Sequence, residues 1–215
     1  MVDLDLVRVK FIESITVGTS DHVATVTAGT TAVGKSHVDL QTYILAYEEI
    51  SKIFAVLGSV FKFVSTDVER KLSILRSKQQ QQPQHYSTLS SMIRYETETN
   101  LTASDNNNGC RTLLRLHRAL EFVAEFINAL IEKKDSSVSG PVWNAYSETL
   151  AKHHTWIIRN TVSMAMYTLP TRQNILLQVG REEDPESLTP LVKTMREVYE
   201  IVQSAYTQSA LLDLK

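Results

Sequence analysis

Apolar residues recur along most of this chain at spacings of three and four, the period of an α-helix. The clearest run is 110–133, where Leu113, Leu116, Leu120, Val123, Ile127 and Leu130 make one core-facing stripe. A second stripe, Ile53, Leu57, Val60 and Val64, marks a long helical stretch over 39–79. It is expected to bend at Gly58 and to end at the Gln79–Gln82 run and Pro83, with the glutamines as a solvated connector. Further helices are predicted over 3–15, 85–100, 142–151, 153–168, 171–179 and 186–207. Pro170 stops the fourth of these, and the third and fourth meet near His153 and His154. Residues 16–36 are rich in Thr, Gly and Ala without helical period and read as a flexible loop. Residues 105–109 read as a loop and N-cap, and 136–141 as a linker. No repeat is evident and no linker is long enough to force a second domain, so residues 1–215 are expected to form one all-α domain.

Composition agrees with that picture. Only seven glycines and five prolines interrupt 215 residues, below their average usage of about 7% and about 5%. Charged residues make up 21% and hydrophobic ones 43%, which suits a chain that buries a sizeable core. The net charge of −2 argues against a broad nucleic-acid-binding surface. The lone Cys110 allows no disulfide framework and makes a structural zinc site unexpected. No signal-peptide core opens the chain and no window is long and apolar enough to span a bilayer, so a reducing, cytosolic setting is expected. The Asn100–Thr102 sequon is not expected to be used in that setting.

Two helices carry charge where the pattern calls for apolar residues. Continuing the second stripe leads to Asp67 and Lys71 before Ile74. An exposed i,i+4 pair is the ordinary account of that spacing. In the 110–133 helix, Arg111, Arg115 and Arg118 crowd the N-terminal end of a face that continues in Phe122 and Phe126. A solvated basic face is one reading; an anion site built from guanidinium forks and the helix dipole is the other. The segment KHHTWIIRN adds His154 on one face with Ile158 and Thr161, and Trp156, whose ordinary place is the core.

Cations, a carboxylate and an imidazole beside long apolar faces match the layout of an amphiphile. Each methylene kept from water is worth about 0.8 kcal/mol, so a two-chain lipid needs shielding to leave a membrane. The segments DVERKLSIL, GCRTLLRLHRAL, AYSETLAKHHTWIIRN, MYTLPTR and ALLDLK resemble the glycolipid transfer protein superfamily over most of 39–215. The resemblance implies a two-layer helical sandwich of about eight helices without disulfides. It also implies a single sphingolipid bound with its head at a polar surface site and its chains in a collapsible pocket. Such proteins carry lipid between membranes without covalent chemistry, metal or cofactor. The chain shows no P-loop, nucleophile elbow, zinc-protease or dinucleotide motif.

By that resemblance Asp67 is similar to the aspartate that binds the sphingosine amide and hydroxyl, and His154 to the histidine that contacts the amide carbonyl. Lys71, Arg111 and Arg115 resemble the phosphate-binding set of the branch that carries ceramide-1-phosphate. Sugar-carrying members place Asn and Trp where Lys71 and Arg115 stand. Arg118 is expected to support the site or the fold. Phe54, Leu57, Phe61, Phe122, Phe126, Ile158 and Val162 are chain-pocket candidates by periodicity, with ordinary core packing the alternative for each. Trp143, Tyr167 and Arg172 are candidates for membrane contact. A monomer with transient contact to Golgi, endosomal, nuclear or plasma membranes is the implied setting. The alternatives left open are a lipid sensor that does not shuttle and a glycosphingolipid carrier of the same fold.

Overall fold

The computed structural model describes residues 2–15, 38–132 and 137–214. Eleven α-helical segments, two of them single turns, account for most of the described residues. The loop expected over 16–36 lies outside them.

Helix α1 (Leu4–Ser14) starts where the Asp3 carboxylate accepts the Leu6 N–H at 2.9 Å. Helix α2 (Leu40–Ser51) is capped by Asp39 and α5 (Leu89–Glu98) by a Thr88–Ser91 capping box. An antiparallel bridge between Asp39 and Thr88 pins these two helix starts together.

The stretch expected as one bent helix over 39–79 is three. Gly58 adopts a φ of 101°, open to glycine and costly for other residues. It separates α3 (Ile53–Val56) from a short 3-10 turn and α4 (Lys62–Gln81). The expected stripe therefore does not continue: Ile53 and Leu57 are buried, Val60 is exposed, and α4 buries Val68, Lys71, Leu72 and Leu75 instead. The glutamines are not a connector, because α4 runs through Gln81 and ends at Gln82 before Pro83. A single turn, α6 (Leu101–Ser104), then leads to α7 (Gly109–Glu132).

Residues 139–141 of the linker expected at 136–141 are helical, and residue 136 lies outside the described residues. Helix α8 (Ser139–Glu148) begins inside that segment, and Pro141 falls in the first turn, where its missing N–H costs nothing. After α8, a break at 149–155 precedes α9 (Trp156–Met166); α10 (Arg172–Gln178) and α11 (Thr189–Gln208) complete the chain.

Helix α7 is the central element. It packs against α4, α8 and α11, while α1 bridges α2 and α11. All six residues of its predicted stripe are buried. Buried tyrosines add polar ties: Tyr47 donates to the Leu116 carbonyl and Tyr206 to the Cys110 carbonyl, the latter at 2.7 Å. A carbonyl oxygen has two lone pairs, so these bonds leave the helix ladder intact.

Candidate functional site

The polar residues singled out above lie on α4, on α7 and in the break before α9. Asp67 and Lys71 are one turn apart on α4 and form an ion pair. Lys71 is nearly buried, with 9% of its side chain exposed against 51% for Asp67. Arg70 also donates to Asp67, at 3.1 Å. Burial disfavours the Asp67 carboxylate, but bonds and charges from Lys71 and Arg70 outweigh it and hold the group below its usual range. Burial pushes the Lys71 ammonium down; Asp67 pulls it up, Arg70 and Arg115 push it down again, and the net shift is downward. Lys71 is thus a cation kept in place at a cost, beside other cations.

His154 sits in extended backbone between a 3-10 turn and the Thr155 cap of α9. Burial lowers its pKa, with the charge of Asp67 acting to raise it and that of Lys71 to lower it. Its Nδ1 pairs with the Tyr146 hydroxyl at 2.8 Å. Tyr146 packs edge-on against Phe122 and beside Trp143. Nothing in the sequence singled out Tyr146, since seven intervening residues and a helix end separate it from His154.

Arg115 is exposed, and its charge acts on Lys71 and Arg118. Arg118 donates to the Leu212 carbonyl at 2.6 Å, tying α7 to the chain's last turn. Arg111 lies one turn before Arg115. Its guanidinium donates to the Asp105 carbonyl at 3.2 Å, the Asn106 side chain at 3.1 Å and the Thr102 carbonyl at 3.3 Å, while its Nε is buried without a protein partner.

The expected contribution of the α7 dipole needs correction. The buried Glu96 carboxylate accepts the N–H groups of Gly109 at 2.6 Å and Cys110 at 2.8 Å, and Asn108 accepts that of Arg111 at 2.7 Å. An internal anion already occupies the helix start. A Cβ on Gly109 would stand 3.1 Å from the same carboxylate oxygen and 2.6 Å from the Met92 sulfur, so glycine permits the approach. Any external anion here must be met by side chains alone.

Of the pocket candidates, Phe54, Leu57, Phe61, Phe126 and Val162 are buried in the continuous core and Phe122 is packed against it. Ile158 is exposed. Two surface grooves lie elsewhere: one of about 420 Å³ is lined by Glu48, Leu72 and Arg76, and one of about 650 Å³ by Asp5, Leu177 and Arg181. Of the membrane-contact candidates only Tyr167 is exposed, at 86%. Trp143 is half-buried, and Arg172 donates to the Leu130 carbonyl at 2.7 Å. Trp156, whose ordinary place is the core, is 70% exposed, with Ile157 at 69% and Met164 at 74%. Trp156, Met164 and Tyr167 share one face of α9 by spacing. Phe63, also exposed, stands one turn before Asp67. Exposed apolar groups therefore flank the polar site on both helices. Among the described residues no group of His, Cys, Asp or Glu side chains is arranged to hold a metal ion.

An all-α protein whose mixed-charge polar cluster adjoins a continuous apolar core, rimmed by exposed aromatics, is built as an amphiphile-binding protein. The model of the glycolipid transfer protein family matches residues 38–181, and the chain belongs to that family. It is 35% identical to the mouse ceramide-1-phosphate transfer protein over 84% of this chain and 89% of that one, and 34% identical to the human protein over the same shares. The crystal structure of human ceramide-1-phosphate transfer protein in complex with 12:0 ceramide-1-phosphate superposes with a TM-score of 0.85, at 29% identity over the whole of both chains. The two-layer all-α fold is that of this lipid-transfer family, and the single cysteine is a free thiol.

Proposed function

We propose that this protein carries ceramide-1-phosphate between membranes. The observation that carries the reading is the nearly buried Lys71, held beside Asp67 and under the charge of Arg115 in a family member similar to ceramide-1-phosphate transfer proteins. Lys71, Arg111 and Arg115 bind the phosphate, whose oxygens match ammonium and guanidinium donors. Asp67 accepts from the amide N–H and hydroxyl of the sphingoid base. The Tyr146 hydroxyl donates to Nδ1 of His154, which leaves the ring proton on Nε2 for the lipid's amide carbonyl.

The chains enter between helices among Phe54, Leu57, Phe61, Phe122, Phe126 and Val162, which close on one another when the ligand leaves. Trp156, Ile157, Met164 and Tyr167 meet the bilayer interface, where aromatic rings are favoured. No helix among the described residues is long and apolar enough to cross a membrane, so contact is peripheral. The whole chain acts as one carrier, as a monomer, and returns the lipid unchanged. A neutral sugar head leaves clustered cations uncompensated, so selectivity rests on rejecting that head as well as attracting phosphate.

Vesicle-to-vesicle transfer of ceramide-1-phosphate and of a galactosyl ceramide tests this. Wild type is expected to move the first and not the second, and Arg115→Leu to lose most of the phosphate-lipid transfer. Saturable binding without transfer would indicate a sensor. Transfer intact in Arg115→Leu would overturn the phosphate role.

A further inference from the structure

Arg111 differs from the other cations of the site in being held by a loop. The acceptors around its guanidinium belong to residues 102, 105 and 106. Asp105 ties that loop to α4. One carboxylate oxygen of Asp105 takes the Lys78 ammonium at 2.9 Å, and the other takes the Asn107 N–H at 2.7 Å. The backbone carbonyl of Asp105 meanwhile accepts from Arg111 and, at 2.6 Å, from the Asn108 side chain. Burial works against the ionised carboxyl, but Lys78, the Asn107 N–H and the charge of Arg111 hold its pKa below the usual range.

Lys78 completes the path. It lies on α4 two turns after Lys71 and so on the same face. Its side chain is mostly buried, and its ammonium stands 5.8 Å over the Tyr86 ring. A chain of contacts therefore runs from the helix that carries Asp67 and Lys71, through Lys78 and Asp105, to Arg111 on α7.

We infer that Asp105, anchored by Lys78, is a positioning residue that sets Arg111 for the lipid phosphate; this rests on the head-group reading above. The division of labour within Asp105 supports it. A carboxylate paired directly with Arg111 would neutralise the guanidinium and compete with phosphate. Here the carboxylate faces Lys78, and Arg111 receives neutral oxygens of the loop instead. The guanidinium is fixed in direction but keeps its charge, and its Nε remains an unengaged donor. Without the anchor, a long side chain one turn from Arg115 is free to swing away from a like charge.

The test measures binding of 12:0 ceramide-1-phosphate and of the matching unphosphorylated ceramide, and takes the ratio of affinities. Asp105→Ala and Lys78→Met are each expected to lower that ratio about tenfold, the loss of one well-placed charge-assisted bond, with ceramide affinity unchanged. The double variant is expected to be no worse than either single one, and Lys78→Arg to keep the wild-type ratio. In an Arg111→Ala background neither change should lower the ratio further, an outcome that general loosening of the fold would not produce. If Asp105→Ala does not fold, Lys78→Met carries the test. A ratio within twofold of wild type in Lys78→Met, while Arg111→Ala lowers it, overturns the positioning role alone. A further drop in the Arg111→Ala background does the same. A wild-type protein without preference for the phosphorylated lipid overturns the head-group reading and this inference together.

Discussion

Replacing Lys71 by Met should move stability and ligand binding in opposite directions. The ammonium is nearly buried and bonded to Asp67, which is half exposed and keeps Arg70 as a partner. Methionine has similar length and no charge to desolvate. Replacing a buried charge with an apolar side chain is commonly neutral or stabilising when the partner left behind stays solvated. The pKa direction agrees. A lysine whose folded-state pKa lies below its unfolded value weakens the fold at every pH where it is charged, and the penalty lifts only as pH rises through the folded value. Lys71→Met is therefore expected to unfold at an unchanged or higher urea concentration at pH 7, by up to about 2 kcal/mol. Binding should fall. A hydrogen bond to a charged group is worth about 1.5–3 kcal/mol, so ceramide-1-phosphate affinity should drop about 10- to 150-fold. Urea unfolding and vesicle transfer on the same preparation measure both. A loss of more than about 2 kcal/mol in stability would make Lys71 a structural residue. Transfer within threefold of wild type would remove it from the phosphate site.

Three further outcomes concern the frame that carries the site. Glu96→Ala leaves the N–H groups of Gly109 and Cys110 and the Tyr86 hydroxyl, bonded at 2.8 Å, without their acceptor; at about 1–3 kcal/mol for a stranded group, a stability loss of about 3 kcal/mol or more is expected in urea unfolding, and a loss below about 1 kcal/mol contradicts the capping role. Ala210 has a φ of 53° at the end of α11, where the Leu211 N–H bonds the Tyr206 carbonyl and the Ala210 N–H that of Thr207. That is a Schellman cap with alanine where glycine is preferred, so Ala210→Gly should stabilise by up to about 1 kcal/mol and raise the melting temperature. His117 is buried, stacked on Tyr199 and bonded to Gln203, and burial lowers its pKa to about 4. The unfolded chain takes the proton first as pH falls below the ordinary value of about 6.5, so stability is lost between there and the folded value. From pH 7.5 to 5 this amounts to about 2 kcal/mol, and the difference in unfolding midpoint between wild type and His117→Phe over that range measures it.

The long stripe of α7 was legible because six apolar residues at helical spacing have one solution, and all six are buried. The α4 stretch misled where spacing was extended across Gly58: a helical period carries over a break only if the backbone does, and a φ of 101° re-aims everything after it. Lys71 on the buried face and Asp67 beside it were visible as charges out of pattern. The parts contributed by other elements were not. Tyr146 behind His154, Glu96 at the α7 start and Asp105 under Arg111 each act across a turn or a helix end, and local periodicity carries no information about such contacts. Trp156 misled for a related reason. Hydrophobicity and spacing identify an apolar side chain but not whether another element covers it, and Trp156 is 70% exposed.

The occupied α7 terminus bears on how selectivity works. Had the helix dipole been open, any anion could have been drawn to it, free phosphate and carboxylates included. Glu96 closes that route, and Arg111 and Arg118 are partly engaged with backbone oxygens. Asp67 is the anion that Lys71 and Arg70 hold. Under the head-group reading, a lipid phosphate replaces Asp67 on Lys71, and the released carboxylate turns to the sphingoid amide and hydroxyl. A free phosphate completes only the first half of that exchange, and unphosphorylated ceramide only the second. Ceramide alone leaves the nearly buried Lys71 ammonium without an anion, which is unfavourable, and free phosphate alone makes no use of the released carboxylate. A ligand carrying both groups on one backbone satisfies both, so preference for the phosphorylated lipid over its parts follows from coupling between Asp67 and Lys71 rather than from the number of cations.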